Sequence, residues 1–261
     1  MSPARRLLLT AVVLVVAIVG GTAVVARLLG SSDPPFAAVP QGAPGPVLLV
    51  PGYGGATGSL QVLAASLRAA GRQTTIVALP GDGTGDLRGS VTAVEAAANA
   101  TGAPSVDVVG YSAGGVVARL WAVDNLDRVR RVVTLGSPHH GTKVAGLATA
   151  LVPGACPLGC QQLAPGSDLL DDLNDDETPD GPQWLAVWTS QDETVTPPDS
   201  ARLDGAVNVV VQDVCPGLPA THGQLPTLPL VRGLVLQALS TQDIAEPSSA
   251  DCATLSARLS S

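Results

Sequence analysis

The chain has 261 residues, 46% of them hydrophobic and 14% charged, with a formal net charge of −8. That length accommodates one α/β domain with a sizeable core, and the composition excludes a disordered chain. Lys and Arg do not cluster beyond the N-terminus, which argues against nucleic acid as a partner, because phosphate binding needs grouped positive charge.

Arg5 and Arg6 precede Leu7–Ala26, a run of twenty uncharged residues closed by Arg27. As a helix such a run rises about 30 Å, the thickness of a bilayer core. Residues 1–29 are therefore expected to be a signal peptide or an uncleaved signal anchor; Val24-Val25-Ala26 offers a weak cleavage site. Positive charge before the run favours an exported remainder, either secreted or held at the membrane with its main domain outside the cytoplasm. Residues 30–46, rich in Gly, Ser and Pro, have linker composition, so the main domain is expected over 47–240.

Along that domain short β-branched runs alternate with Ala- and Leu-rich stretches. Strands are expected at Val47–Val50, Thr74–Leu79, Val106–Val109, Val132–Leu135, Leu185–Trp188 and Val207–Val211. They are nearly continuous apolar runs, as strands buried on both faces must be. Helices are expected at Leu60–Ala70, Val91–Ala100, Gly114–Val123 and Leu228–Leu239, with Gly71 and Gly102 ending the first two. This alternation implies an α/β fold: a mostly parallel sheet of about six strands with helices on both faces. The stretch 142–182 is too long for a plain connection. Val144, Leu147, Ala148 and Leu151 share one helical face there, which fits either a small lid over an apolar cleft or an ordinary covering helix. Asp168, Asp171, Asp172, Asp175, Asp176 and Glu177 read as a solvated acidic segment, without the ligand spacing of a calcium loop.

Four cysteines suit an oxidising compartment. Cys156 and Cys160 are one helical turn apart and can be bridged. Cys215 and Cys252 would then pair and tie the tail, 241–261, to the body. No Cys-His cluster suggests zinc.

Gly110-Tyr111-Ser112-Ala113-Gly114 follows the Val106–Val109 strand and opens the next helix. A serine on such a sharp strand-to-helix turn is raised above the sheet edge at the positive end of a helix, where a developing anion is favoured. Small residues two away on either side are what the strained turn requires. Acyl transfer at Ser112 needs N–H donors for an oxyanion. The Ala113 N–H is one candidate, and the Tyr53 N–H in Val50-Pro51-Gly52-Tyr53-Gly54-Gly55 is the other. Three histidines compete as base. His222 follows the last strand and can close the order nucleophile, acid, histidine; His139 and His140 fit better as structuring or cleft-wall residues. For the acid, Asp192 lies beyond the Leu185–Trp188 strand, with Glu193 and Asp213 as competitors.

With Val-Pro-Gly-Tyr-Gly-Gly at 50–55, Gly-Tyr-Ser-Ala-Gly-Gly at 110–115, Gly-Ser-Pro-His-His-Gly-Thr at 136–142 and the settings of Asp192 and His222, the chain resembles small secreted bacterial lipases of the α/β-hydrolase superfamily. The likeness runs from about Val47 to Leu239 and departs at Pro51, where many lipases carry His. It implies the α/β-hydrolase fold, a Ser112–His222–Asp192 triad, an oxyanion hole from Tyr53 and Ala113, and hydrolysis of lipid or small-molecule esters without cofactor or metal. Acyl transfer or thioester hydrolysis on the same triad, and an inactive membrane-tethered binding protein, are the competing expectations.

Overall fold

The computed structural model describes residues 38–151 and 153–258. The apolar run Leu7–Ala26 lies outside these, and among the described residues no helix is long and apolar enough to cross a membrane. The strands are β1 Val47–Val50, β2 Thr74–Ile76, β3 Val106–Tyr111, β4 Val129–Leu135, β5 Gln183–Trp188 and β6 Val207–Val210. They form one sheet in the order β2-β1-β3-β4-β5-β6, and every neighbouring pair is parallel. Parallel neighbours need crossovers, and these place helices on both faces.

The pleat sends successive side chains to opposite faces. Val47 and Leu49 enter one core layer and Leu48 and Val50 the other. Helices α1 (Gly58–Ala69) and α8 (Pro229–Ala238) cover the first face; α2 (Leu87–Ala100) and α3 (Ala113–Val123) cover the second. In α1 the buried residues are Leu60, Leu63, Ala64 and Leu67, a stripe at helical spacing. Each buried leucine there contributes about 1.5–3 kcal/mol. The side chain of Asp86 caps α2 by accepting the Arg88 N–H at 3.0 Å.

The departures from the expected elements have identifiable causes. Strand β2 stops at Ile76: the Val77 N–H still donates to the Leu49 carbonyl at 2.8 Å, but Ala78 and Leu79 are not strand. Val211 is not strand but the first residue of α7 (Val211–Val214). Strand β4 starts three residues early and takes in Arg130 and Arg131, both wholly buried. Buried arginines persist where carboxylates and carbonyls satisfy them. Arg130 makes a bidentate pair with Asp107 on β3, at 2.8 and 2.6 Å, and Arg72 reaches the same carboxylate at 2.5 Å. Arg130 also donates to the carbonyls of Gln41, Leu239 and Ser240, and Arg131 donates to that of Ala238. Residues 38–46, linker-like in composition, thus lie against the body, with Val39 only 5% exposed.

Asp107→Ala is expected to destabilise the fold by about 3–5 kcal/mol, because it leaves neighbouring buried guanidinium groups without their counter-charge. A urea midpoint close to that of the parent protein would refute this account of the network.

The segment 142–182 forms α4 (Lys143–Leu151), a 3₁₀ turn, α5 (Leu158–Gln162) and α6 (Asp168–Leu173). The acidic run is largely explained locally. Asp168 and Asp171 sit in the first turn of α6, where the helix dipole favours them, and Asp172 pairs with Arg88 at the surface. Among the described residues no group of three or more His, Cys, Asp or Glu side chains is arranged to hold a metal ion. Cys156 is bridged to Cys160 and Cys215 to Cys252. The second bridge fixes α9 (Cys252–Ala257), whose Leu255 carbonyl lies so close to Gly233 of α8 that a Cβ there would overlap it.

Candidate active site

The five residues singled out in the sequence lie beyond the carboxyl ends of the strands, where parallel sheets bind ligands. Tyr53 follows β1, Ser112 and Ala113 follow β3, Asp192 follows β5, and His222 follows β6 and α7. Because β1 and β3 are neighbours, the loop carrying Tyr53 stands beside Ser112.

Among the described residues Ser112 is the one non-glycine residue with positive φ, at φ 55° and ψ −130°. A residue held there stores about 1–3 kcal/mol of strain. Its N–H donates to the Leu135 carbonyl at 2.8 Å, and its carbonyl accepts the Gly115 N–H at 2.9 Å. Close approach explains the flanking glycines. A Cβ at Gly110 would fall on the backbone of Gly114 and Gly115, and one at Gly114 on the carbonyls of Val50 and Pro51.

His222 Nε2 lies 3.0 Å from Ser112 Oγ, and His222 Nδ1 lies 2.7 Å from Asp192 Oδ2. His222 is 8% exposed and Asp192 5%. The other Asp192 oxygen, Oδ1, accepts the N–H groups of Thr194 at 2.9 Å and Val195 at 2.8 Å, which fixes the carboxylate's orientation. Glu193 and Asp213, the competing acids, are exposed to solvent. Ala113 begins α3, so its N–H belongs to the unpaired first turn of a helix. Gly52 packs so closely that a Cβ there would stand 2.9 Å from Ser112 Cβ, and Tyr53, next in the chain, lines the same cleft as Ser112.

Sequence reasoning missed the residues that hold this row. Thr189 Oγ1 donates to the Ala220 carbonyl at 2.8 Å, and Gln191 Oε1 accepts the Ala220 N–H at 3.1 Å. The loop bearing Asp192 therefore grips the loop bearing His222. Tyr111 stacks obliquely over the His222 ring at 5.2 Å, and its hydroxyl donates to the His222 carbonyl at 3.3 Å. Burial, with the Asp192 charge adding to it, pushes the Tyr111 hydroxyl up to about 12, so it remains a donor at neutral pH. The signal for the grip was the polar run Thr189-Ser190-Gln191 before Asp192; Tyr111 carried none beyond its place in the motif.

His139 is buried away from this row, with Nε2 3.1 Å from Thr134 Oγ1 and Nδ1 3.4 Å from Arg119 Nη1. Arginine can only donate, so Nδ1 accepts and the ring is neutral. Burial holds its pKa well below the usual 6.5, and the charges of Arg119 and His140 act the same way. Arg119 also donates to Asn174 Oδ1 and to the Leu173 and Glu177 carbonyls, pinning the end of α6 to the helix that follows Ser112. His140 reaches Glu177 at 2.9 Å and the Ser200 carbonyl at 3.3 Å.

A folded-state pKa depressed in a histidine means that the unfolded chain takes up a proton first. Stability is thus expected to fall as pH drops below about 6.5, by up to about 1.4 kcal/mol per pH unit from this residue. Urea titrations at stepped pH should show that slope in the parent and a shallower one in His139→Gln; equal slopes would exclude His139 as the source.

A cleft of about 170 Å³ opens beside Ser112, lined by Tyr53, Pro138, Ala145, Ala148, Leu163 and Val195 among others. Its walls are almost wholly apolar, which suits a hydrocarbon group.

The chain matches the family described as alpha/beta hydrolase fold over residues 45–157. No curated protein matches it in sequence. Among solved structures, Aspergillus fumigatus lipase B superposes with a TM-score of 0.69 at 21% identity, over 86% of this chain and 59% of the fungal one. This chain thus covers little more than half the length of that lipase. The mature form of Bacillus licheniformis lipase BlEst2 gives a TM-score of 0.60 at 18% identity, over 80% of this chain and 96% of that one. A structure from the study of LipS and LipT, two metagenome-derived lipolytic enzymes, gives 0.58 at 16% identity, over 76% and 95%. At these identities the likeness is one of fold.

Proposed function

We propose, from the premise that the chain has the α/β-hydrolase fold, that it is a serine hydrolase cleaving carboxylic esters of the acylglycerol or related lipid type. The observation that carries this reading is the row in which His222 bridges Ser112 Oγ and Asp192 Oδ2. The apolar cleft beside Ser112 and the lipases among structures of like fold support the ester class.

In this reading His222 Nε2 takes the Ser112 proton as Oγ bonds to the ester carbonyl carbon. The carbonyl π electrons move to oxygen, and the Tyr53 and Ala113 N–H groups face that oxyanion. Asp192 keeps the Nδ1 proton in place and stabilises the imidazolium. As the tetrahedral adduct collapses, the bond to the alkoxide breaks and His222 Nε2 returns the proton to the departing alcohol. Water then attacks the acyl-enzyme by the same route, giving the carboxylic acid and free Ser112. The two disulfides support a domain working in an oxidising compartment outside the cytoplasm.

A fluorophosphonate probe tests the nucleophile directly. The adduct is expected on Ser112, together with turnover of p-nitrophenyl esters by the same preparation. Folded protein that neither labels nor turns over any ester, with or without detergent, would reject the reading.

A further inference from the structure

The cleft beside Ser112 is lined by Tyr53 and Ser112 but not by His222. A leaving alcohol must sit within hydrogen-bond reach of His222 Nε2 to receive its proton. The alcohol half of an ester attacked by Ser112 therefore points away from the cleft, and the acyl half points into it. An apolar cavity of about 150 Å³ accepts benzene, a six-carbon body. A cleft of about 170 Å³, open at one side, has room for an acyl segment of similar size.

Its outer wall is α4, which contributes Val144, Ala145 and Ala148; Val144 is half exposed at the rim, and the two inner positions are small, Ala145 6% exposed and Ala148 half-buried. This wall is pinned at its base. The Lys143 N–H donates to the Thr196 carbonyl at 2.8 Å, and Thr142 Oγ1 to the Thr194 carbonyl at 2.8 Å. The Thr142 N–H donates to the Leu163 carbonyl at 2.9 Å, and the neighbouring Gln162 is locked onto the start of α2 through the Leu87 N–H and Asp86. With the base of α4 and the Leu163 segment held by these hydrogen bonds, the side chains at Ala145 and Ala148 set how much room remains.

We propose, building on the serine-esterase reading above, that Ala148 sets acyl-chain length in this protein and that the preferred acyl groups are of short to medium length, centred on about six carbons. Ala148→Phe places a phenyl ring in the space that such a chain would occupy.

The test is a series of p-nitrophenyl esters from acetate to dodecanoate, run with the parent, Ala148→Phe and Leu147→Phe. Leu147 is 60% exposed and does not line the cleft, so its variant controls for added bulk on α4. The parent's kcat/KM should rise from acetate to hexanoate and fall beyond octanoate. One methylene in an apolar pocket changes discrimination by about 10-fold or more, so Ala148→Phe should lose about 50-fold or more on hexanoate and less than about threefold on acetate. Leu147→Phe should keep the parent profile. Should Ala148→Phe fail to fold, Ala148→Val is expected to shift the optimum toward butanoate. An unshifted optimum in a folded Ala148 variant, or a parent profile still rising at dodecanoate, overturns the proposal while leaving the esterase reading intact. Absence of any turnover, with Ser112 unlabelled by fluorophosphonate, overturns both.

Discussion

Ser112→Ala is expected to lower kcat on p-nitrophenyl esters by about 10⁶-fold, since removal of a nucleophile acting in a concerted unit costs nearly as much as removal of the whole unit. The residual rate should reflect binding and the oxyanion donors alone. The backbone at this position makes a second variant informative. Alanine inherits the strain of φ 55° and ψ −130°, whereas glycine adopts that region freely. Ser112→Gly should therefore be equally inactive yet more stable than Ser112→Ala by about 1–3 kcal/mol. Thermal or urea unfolding of the two inactive variants checks this. If glycine were no more stable than alanine, the strained turn would not be a store of energy set aside for positioning the hydroxyl. Appreciable activity in both would move the nucleophile elsewhere.

Much of the fold was legible because parallel strands buried on both faces leave a plain trace: Val47–Val50 is an unbroken apolar run and Val106–Val109 is interrupted only by Asp107, and they are β1 and the body of β3. Strand β4 was legible only in its apolar half. Arg130 and Arg131 fell outside the expected strand, because nothing local shows that Asp107, on another strand, pairs with Arg130 or that the Ala238 carbonyl accepts from Arg131. That pairing is a property of sheet order, which a single sequence states only indirectly. The same distinction runs through the candidate site. Ser112 and its glycines announce themselves because strand, turn and helix are contiguous. His222 and Asp192 were reached by chain order and position at strand ends, which narrows the choice without measuring a distance. Thr189 and Gln191 escaped notice because their work is to join two loops, and their partners are the backbone groups of Ala220. On α4 the shared helical face was visible in the sequence, but not its division into exposed Leu147 and cleft-lining Ala148, which depends on how the helix is rolled against the sheet.

Asp192→Asn is expected to lower kcat by about 10⁴-fold with KM little changed, although the substitution is nearly isosteric. The reason lies on the far side of the carboxylate. Oδ1 of Asp192 accepts two backbone N–H groups, from Thr194 and Val195. An asparagine must keep its carbonyl oxygen there, because its amide nitrogen cannot accept, and so it turns the NH₂ group toward His222. Facing a donor, His222 Nδ1 becomes an acceptor and the ring proton moves to Nε2, the nitrogen 3.0 Å from Ser112 Oγ. A protonated Nε2 cannot take the serine proton, so the base is lost through its tautomer while the geometry survives. Stopped-time assays with unchanged circular dichroism would show this as a loss in kcat. Fluorophosphonate labelling of Ser112 should slow in parallel, since it needs the same proton transfer. Glu193→Gln and Asp213→Asn, both at exposed positions, should leave turnover within about twofold, as surface substitutions away from the reacting atoms do. A loss of less than about tenfold in Asp192→Asn would mean that the carboxylate does not set the tautomer. A large loss in Asp213→Asn would transfer the role to the residue that follows β6.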